Sequence, residues 1–462
     1  MSTTTIKKIR IRNFKCIKDL EIELAPLTIF VGPNGSGKSS ILEALALMSQ
    51  CSKRNVPIIS ESAIKGGEDS LVEYDEVRSI LYKRRIDKID LSLGITASIP
   101  VEELKAGITT DLNRFQDIAY KQPPNVSTSP IFAYLDFLRK LNLNKTVFEI
   151  TYSFVKSNSI FLHDYIIEGN RIYYGYDSEY SKYISEPVQS ELRPVNSDIF
   201  LSTYYVSGYS SEFSSKLVEA FKKRLSKIYY LSAERGYIPW SYEAKERKHE
   251  WVGRRGEYTI EILAELMKPE NDEKRLPYEI LCEKFGIKYV WAGWDRGNYL
   301  TSNYVDPYLG SKHKFPSLGY GSRQLLSIIA QLAYSDPGCI ILIEEPEISL
   351  HPSYQRLLPV LFGRAVNEGK QILVTTHSSY FVLSLDIVLE GYKLEGQTTR
   401  GYMSYEVKLS PSDIAVYHVT RDEKEGYTKV EKLELDERGL KEGIPSFINV
   451  ERDILERFIS KE

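Results

Sequence analysis

The 462-residue chain is poor in cysteine, in methionine and in net charge. Its four cysteines, Cys16, Cys51, Cys282 and Cys339, are scattered without a CxxC pair. That spacing excludes a disulfide framework or a cysteine-built zinc site and leaves isolated core residues as the plain reading. A formal charge of −3 supplies no global basic field to draw in nucleic acid or an anionic membrane, so any such surface has to be local. No apolar run approaches the roughly 18 residues of a membrane-spanning helix. The opening MSTTTIKKIRIRNF lacks the apolar core of a signal peptide. The expectation is a soluble cytoplasmic protein without a membrane partner. Sustained heptads are also missing, which excludes long coiled-coil arms.

What is present is apolar content, 42%, sufficient for real cores in a chain longer than one usual core. Leu27 to Val31 is short, apolar and rich in β-formers, a buried strand, and Ile41 to Met48 has the composition of a buried helix. Between them stands Gly32-x-x-x-x-Gly37-Lys38-Ser39, in the strand, loop and helix context that a phosphate-binding loop requires. Glycines let successive N–H groups turn inward around a triphosphate, and the helix N-terminus adds partial positive charge. Lys38 then reaches the β- and γ-phosphates of ATP, and the Ser39 hydroxyl ligates Mg²⁺.

Around this loop the pattern suggests a discontinuous head, 1–60 and 226–385, interrupted by a mixed strand and helix region, 61–225, and followed by a strand-rich tail, 386–462, that ends in a helix around Glu451 to Ile459. Lys8 to Leu24 reads as two antiparallel strands. Ser52 to Ser70 reads as a polar connection, Gln122-Pro123-Pro124 as a proline-rich stretch, and Gly169 to Arg171 as a hairpin turn. Phe213, Leu217, Val218, Phe221 and Leu225 stand at helical spacing and deliver the chain to a strand at Ile228 to Leu231.

A second apolar strand, Cys339 to Ile343, ends on Glu344 and Glu345, at the end of a parallel strand where ligands of α/β sheets bind. Two carboxylates there suit two tasks, Glu344 anchoring the Mg²⁺ shell and Glu345 polarising the attacking water. A solvated acidic turn is the alternative. A third strand, Gln371 to Thr376, ends on His377, which can bond a γ-phosphate or the attacking water.

Taken with Leu318-Gly319-Tyr320-Gly321-Ser322-Arg323-Gln324 before an apolar helix, and with Ser349-Leu350-His351-Pro352, these motifs resemble the ATPase head of the ABC superfamily. The run Glu-Glu-Pro-Glu-Ile-Ser-Leu-His-Pro and the opening Ile-Arg-Asn-Phe-Lys resemble the SMC/RecF/OLD-like AAA-type ATPases. The resemblance implies an α/β P-loop NTPase fold of ABC-ATPase type with an antiparallel β subdomain and an inserted mixed α/β region. It implies a phosphate cradle of Asn34, Gly35, Ser36, Gly37, Lys38, Ser39 and Ser40, and a nucleotide contact at Lys15. It further implies a signature segment, Gly319, Gly321 and Ser322, that meets the γ-phosphate of a second subunit, and a switch histidine at His377. Two departures stand out. The usual serine-glycine-glycine signature reads Gly319-Tyr320-Gly321, so Ser322 or backbone N–H groups must donate, and Glu344 stands where aspartate is more usual.

Two further stretches keep two readings each. Arg235, at the end of a strand, either senses nucleotide or pairs with Glu234. Lys245 to Arg255 clusters six basic residues with Trp251 and two glutamates, either a local basic patch for DNA or a solvated loop. The expected function is an Mg²⁺-dependent ATP-hydrolysing switch that forms a homodimer head to head around ATP, in a DNA-related or defence process that the resemblance implies. The alternative is an ATP-controlled recruitment module with negligible hydrolysis that regulates a separate effector protein such as a nuclease. A transporter subunit is a weaker third. The 85 residues after His377 contain no Asp-x-Asp pair, so no nuclease activity is expected of this chain alone.

Overall fold

Twelve strands and three helices build the scaffold around the loop. In chain order they begin β1 (Ile6–Phe14), β2 (Ile17–Glu23), β3 (Leu27–Val31), α1 (Lys38–Arg54), β4 (Leu91–Pro100), α2 (Val101–Tyr120) and β5 (Val147–Ser157). They continue with β6 (Ile160–Ile167), β7 (Asn170–Asp177), α3 (Glu212–Ser226), β8 (Ile228–Leu231), β9 (Ile340–Glu344) and β10 (Gln371–Thr376). The eleventh strand, β11 (Ile414–Arg421), is hairpinned to a short partner, β12 (Thr428–Leu433). The computed structural model describes residues 6–448 except 55–60, 68–69, 85–90, 122–134, 137, 142, 145–146, 158–159, 168–169, 178–191, 195–203, 207–208, 241, 244–247, 295–298 and 307.

One sheet is antiparallel, in the order β2-β1-β4-β5-β6-β7. In β1 the buried Ile9 and Ile11 alternate with the more exposed Lys8, Arg10 and Arg12, the pattern of a sheet with one face in the core. The other sheet carries the phosphate loop, in the order β8-β9-β10-β3-β11-β12, and every pairing in it but the last is parallel. All five residues of β3 and of β9 and all six of β10 are buried, which is why the centres of these strands read as apolar runs. Successive residues serve different cores: Phe30, Ile340 and Leu342 pack with α1 and the antiparallel sheet, whereas Leu27, Ile29, Ile341 and Ile343 pack with the helices on the opposite face.

Polar side chains lock the two sheets together. Gln371, the first residue of β10, accepts from the Ile6 N–H at 3.0 Å and donates to the Ile6 carbonyl at 2.8 Å. Buried Asp111 of α2 accepts from the Ser211 hydroxyl and from the N–H groups of Glu212 and Phe213, which caps the start of α3. Buried Gln50 of α1 donates to the carbonyls of Ala63 and Val72 and accepts from Leu71 and Val72. The polar connection expected from Ser52 onward therefore starts inside α1 and is fastened back to it.

The division of the chain differs from the one expected. Strand β4, from the region read as an insertion, pairs directly with β1, so β4 to β7 continue the antiparallel sheet that β1 and β2 begin. Strand β11, from the region read as a tail, pairs parallel with β3, Val416 opposite Ile29, so the nucleotide sheet runs past residue 385. The physical reason is that β3 is buried on both faces and needs a hydrogen-bonding partner on each edge. The proline-rich stretch and the helix around Glu451 to Ile459 lie outside the described residues. Among the described residues no helix is long and apolar enough to cross a membrane.

If β11 is structural to the head, Ile414→Ala should lower the unfolding free energy of the nucleotide sheet by about 2–5 kcal/mol, as buried Ile deletions do. Urea unfolding followed by circular dichroism measures it. An unchanged midpoint would mean that the tail is an appendage.

Candidate functional site

The site lies at the C-terminal ends of β3, β9 and β10, three neighbouring positions of the parallel sheet. After β3 the chain turns through Gly32 to Gly37 and enters α1 at Lys38. Gly37 holds φ of +106°, a conformation open to glycine, and a side chain there would collide with Thr428 and Cys16. Pro33, Asn34 and Gly35 are exposed at the tip, Ser36, Lys38 and Ser40 are buried, and Ser39 is half-buried.

Lys38 bends back over its own loop. Its ammonium donates to the Gly32 and Pro33 carbonyls, each at 2.9 Å. An ammonium has three donors, so one remains for an anion. Burial lowers its pKa to about 8, against the opposing pull of Glu345, Glu347 and Glu344.

The carboxylates are held by backbone geometry. Glu345 sits at φ of +43°, outside the usual range for a side-chain-bearing residue, and its N–H donates to the Thr375 carbonyl at 2.8 Å. Its carboxylate stands 3.5 Å from Nε2 of His377, and that hydrogen bond, first among the causes, holds its pKa below the usual carboxylate value. Glu344 is directed toward β8, where its carboxylate accepts from the Ala233 N–H at 3.1 Å. Glu347 is nearly buried; it accepts from the His377 N–H, and desolvation raises its pKa. Glu345 is thereby the carboxylate kept charged beside the imidazole.

Arg235 does not pair with Glu234. Its guanidinium is buried and donates to the carbonyls of Ser232 at 2.7 Å, of Glu345 at 2.8 Å, and of Glu344. It clamps the turn that presents the carboxylates, and Glu234 pairs instead with Arg255 at 3.6 Å. Lys15, in the turn between β1 and β2, pairs with Glu43 of α1, and its ammonium lies 5.2 Å from the Tyr74 ring centroid.

The loop is gripped from a direction the sequence did not reveal. Arg421 of β11 donates to the Gly35 carbonyl at 2.6 Å, and Thr428 of β12 donates to the Ser36 carbonyl at 2.9 Å. Cys16 donates to the Ser40 hydroxyl at 3.4 Å. No local motif encodes these partners, and both Arg421 and Thr428 lie in the stretch read as a strand-rich tail.

Gly319, Gly321 and Ser322 lie elsewhere, at the start of a 15-residue helix, α4 (Tyr320–Tyr334), whose first turn has no side-chain cap. Gly319 is exposed and Tyr320 is 48% exposed. A side chain at Gly321 would collide with the Ser349 carbonyl, which fixes this helix against the loop that follows Glu345. In the basic stretch Trp251 is 6% exposed and so presents no ring for a base to stack on, and residues 245–247 lie outside the described residues.

The residues present fit a magnesium nucleotide. The Ser36 hydroxyl, the Thr375 hydroxyl and one Glu347 oxygen are buried without a hydrogen-bond partner, polar atoms that a bound ligand and its water would satisfy. Among the described residues no group of three or more His, Cys, Asp or Glu is arranged to hold a metal by itself. Mg²⁺ needs none, since it is held by one or two protein oxygens together with phosphates and water. Ser39 and Glu344, the oxygen donors expected for that role, stand in the first turn of α1 and at the last position of β9.

The family described as AAA ATPase domain matches residues 5–382. The chain belongs to that family. Relatives of this AAA ATPase include the OLD nuclease of Thermus scotoductus, 46% identical over 43 residues, 9% of this chain and 8% of that protein. The Septu protein PtuA of Bacillus mycoides is 28% identical over 208 residues, 38% of this chain and 28% of that protein. The DNA replication and repair protein RecF of Phocaeicola vulgatus is 28% identical over 141 residues, 25% of this chain and 38% of that protein. The matches thus span well under half of each relative's length. The ABC/SMC/RecF/OLD-like character read from the motifs agrees with this membership, and the fold is the expected mixed α/β P-loop type.

Lys38 supplies a pH signature for this AAA ATPase. Its ammonium is charged below a pKa of about 8 and neutral above it, whereas a bound triphosphate would hold it charged. The dissociation constant for Mg-ATP should therefore rise about fivefold from pH 8 to pH 9, with uptake of about one proton on binding at the higher pH. Calorimetry in buffers of different ionisation enthalpy reads both. A constant affinity with no proton uptake would contradict the placement of Lys38.

Proposed function

We propose that this AAA ATPase is an Mg²⁺-dependent switch in which two heads pair around ATP and separate after hydrolysis. The observation that carries the reading is the convergence of the Lys38 ammonium, the Glu345 carboxylate and the His377 imidazole at the ends of three adjacent parallel strands. Inward N–H groups of Gly35 to Ser40 would cradle the phosphates, and Lys38 would neutralise charge on the β- and γ-phosphates. When bound, Mg²⁺ supplies charge neutralisation across the phosphate oxygens. Glu345, kept ionised by His377, would orient a water and accept its proton as the water oxygen bonds to the γ-phosphorus and the bond to the ADP oxygen breaks. His377 would donate to the γ-phosphate oxygens and hold Glu345 in place.

Pairing is supported by α4, whose uncapped and partly exposed start leaves first-turn N–H groups without intrahelical acceptors. In a head-to-head dimer those groups and the Ser322 hydroxyl would meet the γ-phosphate held by the other copy. Lys15 would exchange its Glu43 partner for nucleotide. We further propose that a separate effector protein receives the signal, in a DNA-related process, on the strength of the resemblance to RecF.

Glu345→Gln keeps the shape and removes the charge. It should retain ATP binding, slow hydrolysis roughly 100-fold or more, as loss of a general base does, and trap an ATP-dependent dimer. Phosphate release and size-exclusion chromatography with light scattering measure these. Hydrolysis at the wild-type rate would remove Glu345 from the mechanism.

A further inference from the structure

At the opposite end of the parallel sheet from the phosphate loop lies a cavity of 1140 Å³. It is bounded by residues that precede β8 and β9, by the last turn of α1, and by the segment Lys248 to Trp251. Five cations line it, Lys53, Arg54, Lys227, Lys248 and Lys274, against two carboxylates, Glu250 and Asp336. Asp336 is already bonded to Lys274 at 2.7 Å, which holds its carboxyl below the usual range.

Aromatic surface alternates with this charge. The Lys53 ammonium lies 5.6 Å from the Tyr229 ring centroid, and that of Lys274 lies 5.8 Å from the Tyr334 centroid. Trp251 backs Tyr229, with centroids 6.4 Å apart. The wall that carries Lys248 is fixed in place: the His249 N–H and its Nδ1 both meet the Glu261 carboxylate at 2.9 Å, and its ring stacks on Tyr258. Of the basic stretch singled out in the sequence, Lys248 to Trp251 form one side of this cationic cavity.

We propose that this cavity is a second binding site, for a small ligand that joins a phosphate to an aromatic base, a nucleoside phosphate. The cations would form charge-assisted hydrogen bonds to the phosphate, and the ring faces would pack on the base. The volume is slightly above the usual range of small-molecule sites, about 300–1,000 Å³, and far below what a duplex occupies. Helix α1 carries Lys38 in its first turn and Lys53 and Arg54 in its last, so one 17-residue helix, about 25 Å long at 1.5 Å per residue, touches both sites. The proposal does not rest on nucleotide binding at the phosphate loop.

Calorimetric titration of the full chain with Lys38→Ala, which removes the loop lysine, isolates this site. The probes are AMP, a 5′-phosphorylated single-stranded oligonucleotide and a blunt duplex. AMP or the oligonucleotide should bind, and Lys227→Glu with Lys274→Glu should weaken binding roughly tenfold or more, since two charge-assisted contacts become repulsive. Tighter binding of AMP would assign a free nucleotide as the source, and tighter binding of the oligonucleotide a strand end; both support the site. The thermal midpoint of the double variant checks folding, and Lys227→Gln with Lys248→Gln, both exposed side chains, repeats the test more mildly. The same variants in the wild-type background keep it independent of Lys38→Ala. No binding, binding indifferent to these changes, or binding of the duplex alone would overturn the proposal.

Discussion

Strand β3 is hydrogen-bonded on both edges and buried on both faces, and the rest of the molecule is arranged to satisfy it. On one edge β10 brings His377 level with the phosphate loop, and beyond β10 lies β9 with its carboxylates. On the other edge β11 supplies the missing ladder, and its Arg421 then reaches the Gly35 carbonyl. A loop that must turn its N–H groups inward exposes its carbonyls outward, and those carbonyls need partners. Arg421, Thr428 and Lys38 itself are the partners found.

The second constraint is electrostatic. Three glutamates within four residues repel one another, and their turn places Glu345 at an unfavourable φ. Buried Arg235 answers both difficulties, because its guanidinium holds the turn's carbonyls while its charge offsets the carboxylates. Burial lowers the Arg235 pKa to about 10, well above any working pH, so the clamp keeps its charge. The two kept cations, Arg235 beneath and Lys38 above, hold the acidic turn in an environment that a magnesium nucleotide would complete.

The phosphate loop, the carboxylates and His377 were legible because each is a local signal, a short apolar strand followed at once by its polar residue. The antiparallel pair Lys8 to Leu24 and the helix from Phe213 to Leu225 were legible from alternation and from helical spacing. What was hidden is non-local. The Arg421 bond to Gly35 joins residues 386 apart, and nothing near either position announces it. Ile414 to Val419 fell within the stretch read as a strand-rich tail, although six consecutive buried residues are the mark of a strand inside a parallel sheet. Arg235 and Trp251 were misjudged for a related reason: a cation at a strand end and a ring in a basic run look functional in sequence, and burial alone turns them into a clamp and a wall.

The central claim is that the loop from Gly32 to Ser40 binds a magnesium nucleotide through Lys38. Equilibrium binding of Mg-ATP to the wild-type chain and to Lys38→Ala, each confirmed as folded by its thermal transition, tests it most directly. The account predicts saturable binding by the wild type and none by the variant, because Lys38 supplies the side-chain charge that faces the β- and γ-phosphates. Equal affinity in the two chains would contradict it.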